Sequence, residues 1–356
     1  MGDHTRSDRT RARAFLALCL ARFRESYREP EVLFWSFVFP VLLSGALAVA
    51  FRDRGPEASR AVVLRGPGAQ RILLALRGAP LVVVEEAGPE EGARALRMGR
   101  ADVVVSAGVD LAAPVEYRLD PSRPEAGVAR ARVDDALQRA AGRADPVRSR
   151  EVTLREPGGR YVDFLVPGLV GMNLMNAGMW GVGYVLVDMR IKKLLKRLLA
   201  TPMRAADFMA SLMTMRVAST FAEVGFLLGF AALALHVPVR GSLAAVMAVA
   251  VVGSLCFAGL GLAVACRARK IETASGLMNL VTLPMFVLSG VFFSVERFPQ
   301  AVQPALRGLP LTALNDALRA VTLEGAGLAS QWPRLAVIAA WALASFALGL
   351  RLFRWS

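Results

Sequence analysis

Apolar residues are unevenly spread along this chain. Read with a window of about 20 residues, the length that crosses a bilayer core, the sequence shows six apolar runs, at 32–51, 164–187, 209–235, 243–265, 272–293 and 334–353. Each predicts a transmembrane helix. Between the first two lies 52–161, where the pattern changes. Short apolar runs of strand length, AVVLRG (61–66), LVVVEE (81–86) and DVVVSAG (102–108), are bounded by Gly and Pro. They alternate with GAQRILLALRGA and PEEGARALRMGRA, whose apolar positions recur at helical spacing. A fourth strand at 115–120, a helix from Pro124 to about Arg143 and a last strand near SREVTLRE complete the segment, predicting a mixed or parallel sheet covered by helices. The expected fold is an α-helical membrane protein with six transmembrane helices and a mixed α/β domain inserted between helices 1 and 2.

Composition agrees with the spans: 55% of the 356 residues are hydrophobic, and the mean hydropathy is +0.45. The net charge of +14 raises a nucleic-acid partner as a second explanation, and the positions of the charges decide against it. Threading the chain through six spans collects 1–31, 188–208, 266–271 and 351–356 on one side. Those segments carry Arg6, Arg9, Arg11, Arg13, Arg22, Arg24, Arg28, Arg267, Arg269, Arg351, Arg354 and every lysine of the chain. By the positive-inside bias that side is the cytoplasm, with both termini inside and 52–161 outside. Most of the excess charge therefore serves topology, and no nucleic acid is expected.

The start of the chain does not read as a cleaved signal sequence, because AFLALCLA (14–21) is followed by more Arg and Glu rather than by a small-residue cleavage site. Phe15, Leu18, Leu20, Arg22 and Phe23 instead predict an amphipathic helix along the inner membrane surface, serving as an anchor or as a contact for a partner. In RGPGAQR (65–71) a glycine loop joins a strand to a helix, but it lacks the Lys-Ser/Thr of a phosphate loop and the third Gly of a dinucleotide fingerprint, so it reads as a turn. His4 and His236 are far apart, which offers neither a metal cluster nor a histidine-based triad. Cys19, Cys256 and Cys266 sit where packing of reduced thiols is the expected role. No GxxxxGK[ST] occurs, so ATP-driven work by this chain needs a separate ATPase.

One loop stands apart. RIKKLLKRLLATPMRAADF (190–208) places five cations within eight residues and then turns apolar again. Ile191, Leu194, Leu195, Leu198 and Leu199 follow i, i+3, i+4, i+7, i+8 spacing, while Lys192, Lys193, Lys196 and Arg197 take the other face. The spacing predicts one amphipathic helix of about 16 Å, ended by Thr201-Pro202 and lying at the cytoplasmic surface. Charge alone accounts for such a loop as well as a partner does.

Three stretches resemble the permease subunits of type-2 ATP-binding-cassette exporters: YREPEVLFWSFVFP (27–40), YVDFLVPGLVGMNLMNAGMWGVGYVLVDMRIKKLLKRLLATPMRAADF (161–208) and FVLSGVFFSVERFPQAVQPALRGLPLTALNDALRAV (286–321). They occur in the family's order, so the resemblance extends along nearly the whole chain, and the outer α/β segment is similar to the family's insertion after span one. The resemblance implies that loop 188–208 docks on a separate ATPase, a coupling role that falls on Lys192, Lys196, Leu198, Leu199, Ala200, Thr201, Pro202, Met203 and Arg204. It implies two permease chains, expected as a homodimer, with two ATPase subunits, and an N-terminal helix at 11–29 beside the ATPase. No cofactor is expected on this chain; ATP and Mg belong to the partner. Within 294–333 the resemblance implies helices dipping into the outer leaflet before span six, with 309–312 capping the exit. Pro299, Pro304 and Pro310 break this segment into short pieces, and leaving Phe298, Leu306, Leu309, Leu311 and Leu314 in solvent would be costly.

Ionisable groups inside spans are functional candidates. Arg216 and Glu223, seven apart in span three, share a helix face about 10 Å apart along the axis. The expectation is that Arg216 snorkels toward the cytoplasm and leaves Glu223 at mid-membrane, either paired with a neighbouring span or touching cargo. Asn173, Asn176 and Asn279 suit helix–helix hydrogen bonds. The family's pathway between two permeases, lined by spans one and five, implies Phe34, Phe37, Phe39, Asn279, Thr282, Met285 and Phe286 as lining.

The reading is a non-catalytic export permease in a bacterial inner membrane, with a lipid, an amphipathic drug or a lipid-linked glycan as cargo. The Arg- and Ala-rich composition suggests a GC-rich bacterium. A secondary transporter or a membrane-anchored sensor without an ATPase is the alternative. Inverted repeats with paired acids would mark a secondary transporter, and neither feature is visible.

Overall fold

The computed structural model describes residues 19–20, 23–24, 28–51, 58–106, 114–144, 159–199, 205–266, 268 and 270–352, with the backbone alone at 198, 199 and 205. The last strand expected near 149–156 and most of the N-terminal helix expected at 11–29 lie outside the described residues. The chain divides into two compact units, Asp53–Leu154 and the remainder.

In the smaller unit, valine-rich runs become β1 (Ser59–Leu64), β2 (Val82–Ala87) and β3 (Val103–Ser106), followed by β4 (Glu116–Arg118). The sheet order is β2-β1-β3-β4. β1 pairs in parallel with β2 and β3, and β3 pairs antiparallel with β4. Parallel neighbours need crossovers, and these are α2 (Ala69–Arg77) and α3 (Pro89–Arg97), α1 (Pro30–Ala50) lying in the larger unit. Ala69, Ile72, Leu73 and Leu76 pack with Ala61, Val63, Val103 and Val105 and with Ala129 and Val133 of α4 (Pro124–Ala140). Val62 and Val104 turn to the opposite face, against Ala95 and Leu96 of α3. The sheet is thus covered on both faces, and each fully buried Val or Leu contributes about 1.5–3 kcal/mol. Pro89 starts α3 at a position that needs no amide donor, and Glu91 accepts the Gly88 amide at 3.1 Å. The Tyr117 hydroxyl donates to Asp134 at 2.9 Å and ties β4 to α4. Burial first, then the Asp134 carboxylate, push the Tyr117 phenol well above its usual range.

In the larger unit, five segments among the described residues are long and apolar enough to cross a membrane. They are α1 (Pro30–Ala50), α8 (Ala205–Ala234), α9 (Leu243–Ala265), α10 (Ile271–Leu288) and Leu328–Leu352, the last being a 3-10 turn leading into α13 (Trp332–Leu352). The run expected at 164–187 is helical from 161 to 191 but falls into three parts. These are α5 (Tyr161–Gly178), a π-turn at Met179–Tyr184 and α6 (Val185–Ile191). It is an enclosed element, with Leu165, Leu169, Leu174 and Met175 fully buried. α9 crosses it closely: a Cβ on Gly261 would stand 2.8 Å from the Met179 carbonyl oxygen, so only glycine permits this backbone approach at the π-turn. The fifth run stops at Leu288, short of the expected 293, because Ser289 leaves the helix and Gly290 takes φ +71°.

The prolines of 294–333 act as the sequence suggests. A 3-10 turn at Val295–Arg297 is followed by α11 (Gln303–Arg307) and α12 (Pro310–Thr322). Pro310 opens α12 after an extended Leu309. Leu306, Leu311 and Leu314 are buried, while Phe298 and Leu309 are partly covered. Asn315 donates to the Ser289 carbonyl at 3.0 Å and abuts Gly171, where any side chain would collide with it. Arg319 lies over the Phe164 ring, 3.6 Å from its centroid, and donates to the carbonyls of Phe164 at 3.1 Å and Gly290 at 2.5 Å. These bonds fasten α12 between α5 and the end of α10.

Candidate functional site

The basic loop does not form the single amphipathic helix that its spacing predicts. α6 ends at Ile191, Lys193 takes a left-handed φ of +57°, and α7 (Leu194–Leu199) begins afresh. The break has a local cause: Lys192 Nζ folds back to Asp188 at 2.8 Å, and the Lys193 amide donates to the Arg190 carbonyl at 3.1 Å, closing the helix. A non-glycine residue in this conformation costs about 1–2 kcal/mol. Its consequence is a change of face, with Ile191 44% exposed and Leu195 1% exposed. Lys196 and Arg197 remain on the surface. The candidate residues Ala200, Thr201, Pro202, Met203 and Arg204, and the side chains of Leu198 and Leu199, lie outside the described residues.

Arg190, which the sequence reading did not single out, anchors the start of this loop. It donates to the carbonyls of Ala265 at 2.9 Å and Ala268 at 2.8 Å. Ala265 is the last residue of α9, where helical carbonyls lack intrahelical partners and a cation is favoured. The end of α6 is thereby tied to the end of α9.

The second cluster corrects the expectation for span three. Arg216 does not snorkel: it is 7% exposed and pairs directly with Glu223, which is 4% exposed. Its Nε donates to Ser254 Oγ on α9 at 3.0 Å, and the Thr220 hydroxyl lies 2.8 Å from both Ser254 Oγ and the Arg216 carbonyl. An extended arginine reaches one turn along the helix while glutamate reaches back, which removes the 10 Å axial separation expected from spacing. Ser254 and Thr220 were missed as partners. Thr220 carried a signal, since it stands at i+4 from Arg216 on the same face.

The remaining candidates separate. Asn173 donates to the Ser36 carbonyl at 3.2 Å, inside a π-turn at Phe34–Val38 of α1, and so joins α5 to α1. Asn176 is partly buried. Phe37 meets Phe226 of α8 edge to face at 5.3 Å, and Phe39 packs on the main core. Phe34 is 42% exposed and Asn279 is exposed, whereas Thr282 and Met285 are buried and Phe286 is intermediate. α1 and α10 also expose Trp35, Val38, Leu42, Leu280, Leu283 and Val287. Such open apolar faces suit lipid or a second membrane subunit.

A helical unit with several apolar helices, a basic break between two of them and a proline-divided segment before the last helix describe a multi-pass membrane protein. Residues 30–351 match the profile described as "ABC-2 family transporter protein". The chain belongs to the ABC-2 transporter family, whose permeases normally work with a separate ATP-binding-cassette ATPase. It is similar to Nodulation protein J of Rhizobium leguminosarum bv. trifolii, 30% identical over 48% of this chain and 64% of the relative. It is also similar to the inner membrane transport permease YhhJ of Escherichia coli (strain K12), 30% identical over 34% of this chain and 32% of the relative. The ABC transporter G family member 20 of Dictyostelium discoideum is 25% identical over 58% of this chain and 29% of its own length. The matched regions of all three thus span less than two thirds of those relatives.

Proposed function

We propose that this chain is the membrane half of an exporter that moves a lipid, an amphipathic drug or a lipid-linked glycan outward across a bacterial inner membrane. Two copies pair with two ATPase subunits, which bind ATP and Mg; this chain binds neither. Both termini and loop 188–208 face the cytoplasm, Asp53–Leu154 lies outside, and the 161–191 helical run supplies the sixth span. The observation that carries the coupling role is continuity: the basic loop extends directly from the enclosed α5–α6 run, with its first turn tied by Arg190 to α9. A displacement imposed on the loop therefore reaches packed helices rather than slack chain. The test is to isolate the tagged protein from its host membranes in mild detergent and identify stoichiometric partners by mass spectrometry. A soluble subunit carrying a phosphate-loop sequence is expected; its absence from a folded, dimeric preparation would contradict the proposal.

A further inference from the structure

A cleft of about 540 Å³ opens beside α12 and the start of α13, walled by Glu296, Arg307, Asp316, Arg319, Glu324 and Arg334. Three cations and three anions line this wall, and among them only Arg319 and Asp316 form an ion pair. Arg319 and Asp316 stand 3.9 Å apart. Arg307 is held by Gln303 at 3.5 Å and Arg334 by Gln331, both neutral partners. Among the described residues neither Glu296 nor Glu324 has an ion pair. A surface ion-pair network would also consume Arg307, Arg334, Glu296 and Glu324, whereas here these four present both signs around an open volume of ligand size.

Depth narrows the ligand. Trp332, 70% exposed, starts α13 immediately before Pro333, which lines the cleft, and Trp at the end of a span favours the membrane–water interface. Val337, which also lines the cleft, is about 8 Å further along the helix. The cleft therefore occupies a layer comparable to the headgroup region, which is roughly 5–8 Å per leaflet. We propose that it binds the headgroup of a zwitterionic phospholipid, with the phosphate toward Arg307 and Arg334 and the ammonium toward Glu296 and Glu324, Arg319 being committed to Phe164, Gly290 and Asp316. The proposal stands on the cleft and its depth, not on the transport reading.

Native mass spectrometry of the full-length protein in detergent, titrated with dihexanoyl phosphatidylethanolamine or dihexanoyl phosphatidylglycerol, tests it. The zwitterionic lipid should bind at least about fivefold more tightly than the anionic one, a difference of roughly 1 kcal/mol. Glu296→Gln with Glu324→Gln, both at exposed positions, should abolish that preference, and Arg334→Gln should weaken both lipids. Equal affinities in the native protein, or a preference that survives the double substitution, would overturn the assignment. Glycerophosphoethanolamine, the same headgroup without acyl chains, separates the sources: weaker binding than the lipid supports a bilayer ligand, and equal binding overturns it.

Discussion

Arg216 and Glu223, seven residues apart on α8, form a buried ion pair whose guanidinium also donates to Ser254 on α9. The pair is tied into the bundle through Ser254 and Thr220, and its exposure of 7% and 4% leaves little surface for cargo. Its nearest role is to fix how α8 and α9 pack.

That role predicts strong coupling between the two positions. Glu223→Leu alone leaves a buried guanidinium without its counter-charge and should cost about 3–5 kcal/mol. Arg216→Met combined with Glu223→Leu should recover most of that loss. Thermal unfolding in detergent of the two single variants and the double variant closes the cycle; additive losses would show that the pair does not act as a unit.

The left-handed residue between α6 and α7 predicts an asymmetric response. Lys193→Gly relieves the backbone cost and should be neutral or stabilising by up to about 1 kcal/mol, whereas Lys193→Val should destabilise. Unfolding midpoints of the purified variants measure this, and equal effects of Gly and Val would point to a continuous helix instead.

Arg190→Ala removes two charge-assisted hydrogen bonds, one to the last residue of α9 and one to Ala268 beyond it. Each such bond contributes about 1.5–3 kcal/mol. Faster amide hydrogen exchange is expected in the last turn of α9 and at 185–191, with the rest of α9 unchanged. Unaltered exchange there would show that the tether carries no load.

The close approach of α5 and α12 predicts that Gly171→Ala is damaging although alanine favours helix. The new methyl meets Asn315, and overpacking of this kind costs about 1–3 kcal/mol. Asn315→Ala added to Gly171→Ala should restore part of the loss, read again from thermal unfolding.

How far the fold was legible follows from the kind of signal involved. The valine runs placed β1 to β3 within a few residues, because a buried strand and its bounding Gly or Pro are written in local sequence. Pro310 and the buried leucines of α12 were legible for the same reason. The break at Lys193 was not, since the side-chain periodicity runs unbroken through 191–199 while the cause is a backbone closure supported by Asp188 and Lys192. The π-turns at Phe34–Val38 and Met179–Tyr184 left no compositional mark. Spacing put Arg216 and Glu223 on one face, but rotamers decided that they touch. Ser254 lay beyond reach of one-dimensional reasoning, because the crossing of α8 and α9 sets its contact.

The central claim is that the basic loop after α6 couples this chain to an ATPase. The most direct measurement compares the native protein with Leu198→Asp/Leu199→Asp, both purified with the partner subunit and reconstituted in vesicles, by co-elution and ATP turnover. The account predicts normal membrane insertion with at least about a tenfold loss of bound ATPase, equivalent to about 1.4 kcal/mol or more. Native levels of ATPase binding and turnover in a correctly inserted variant would contradict it.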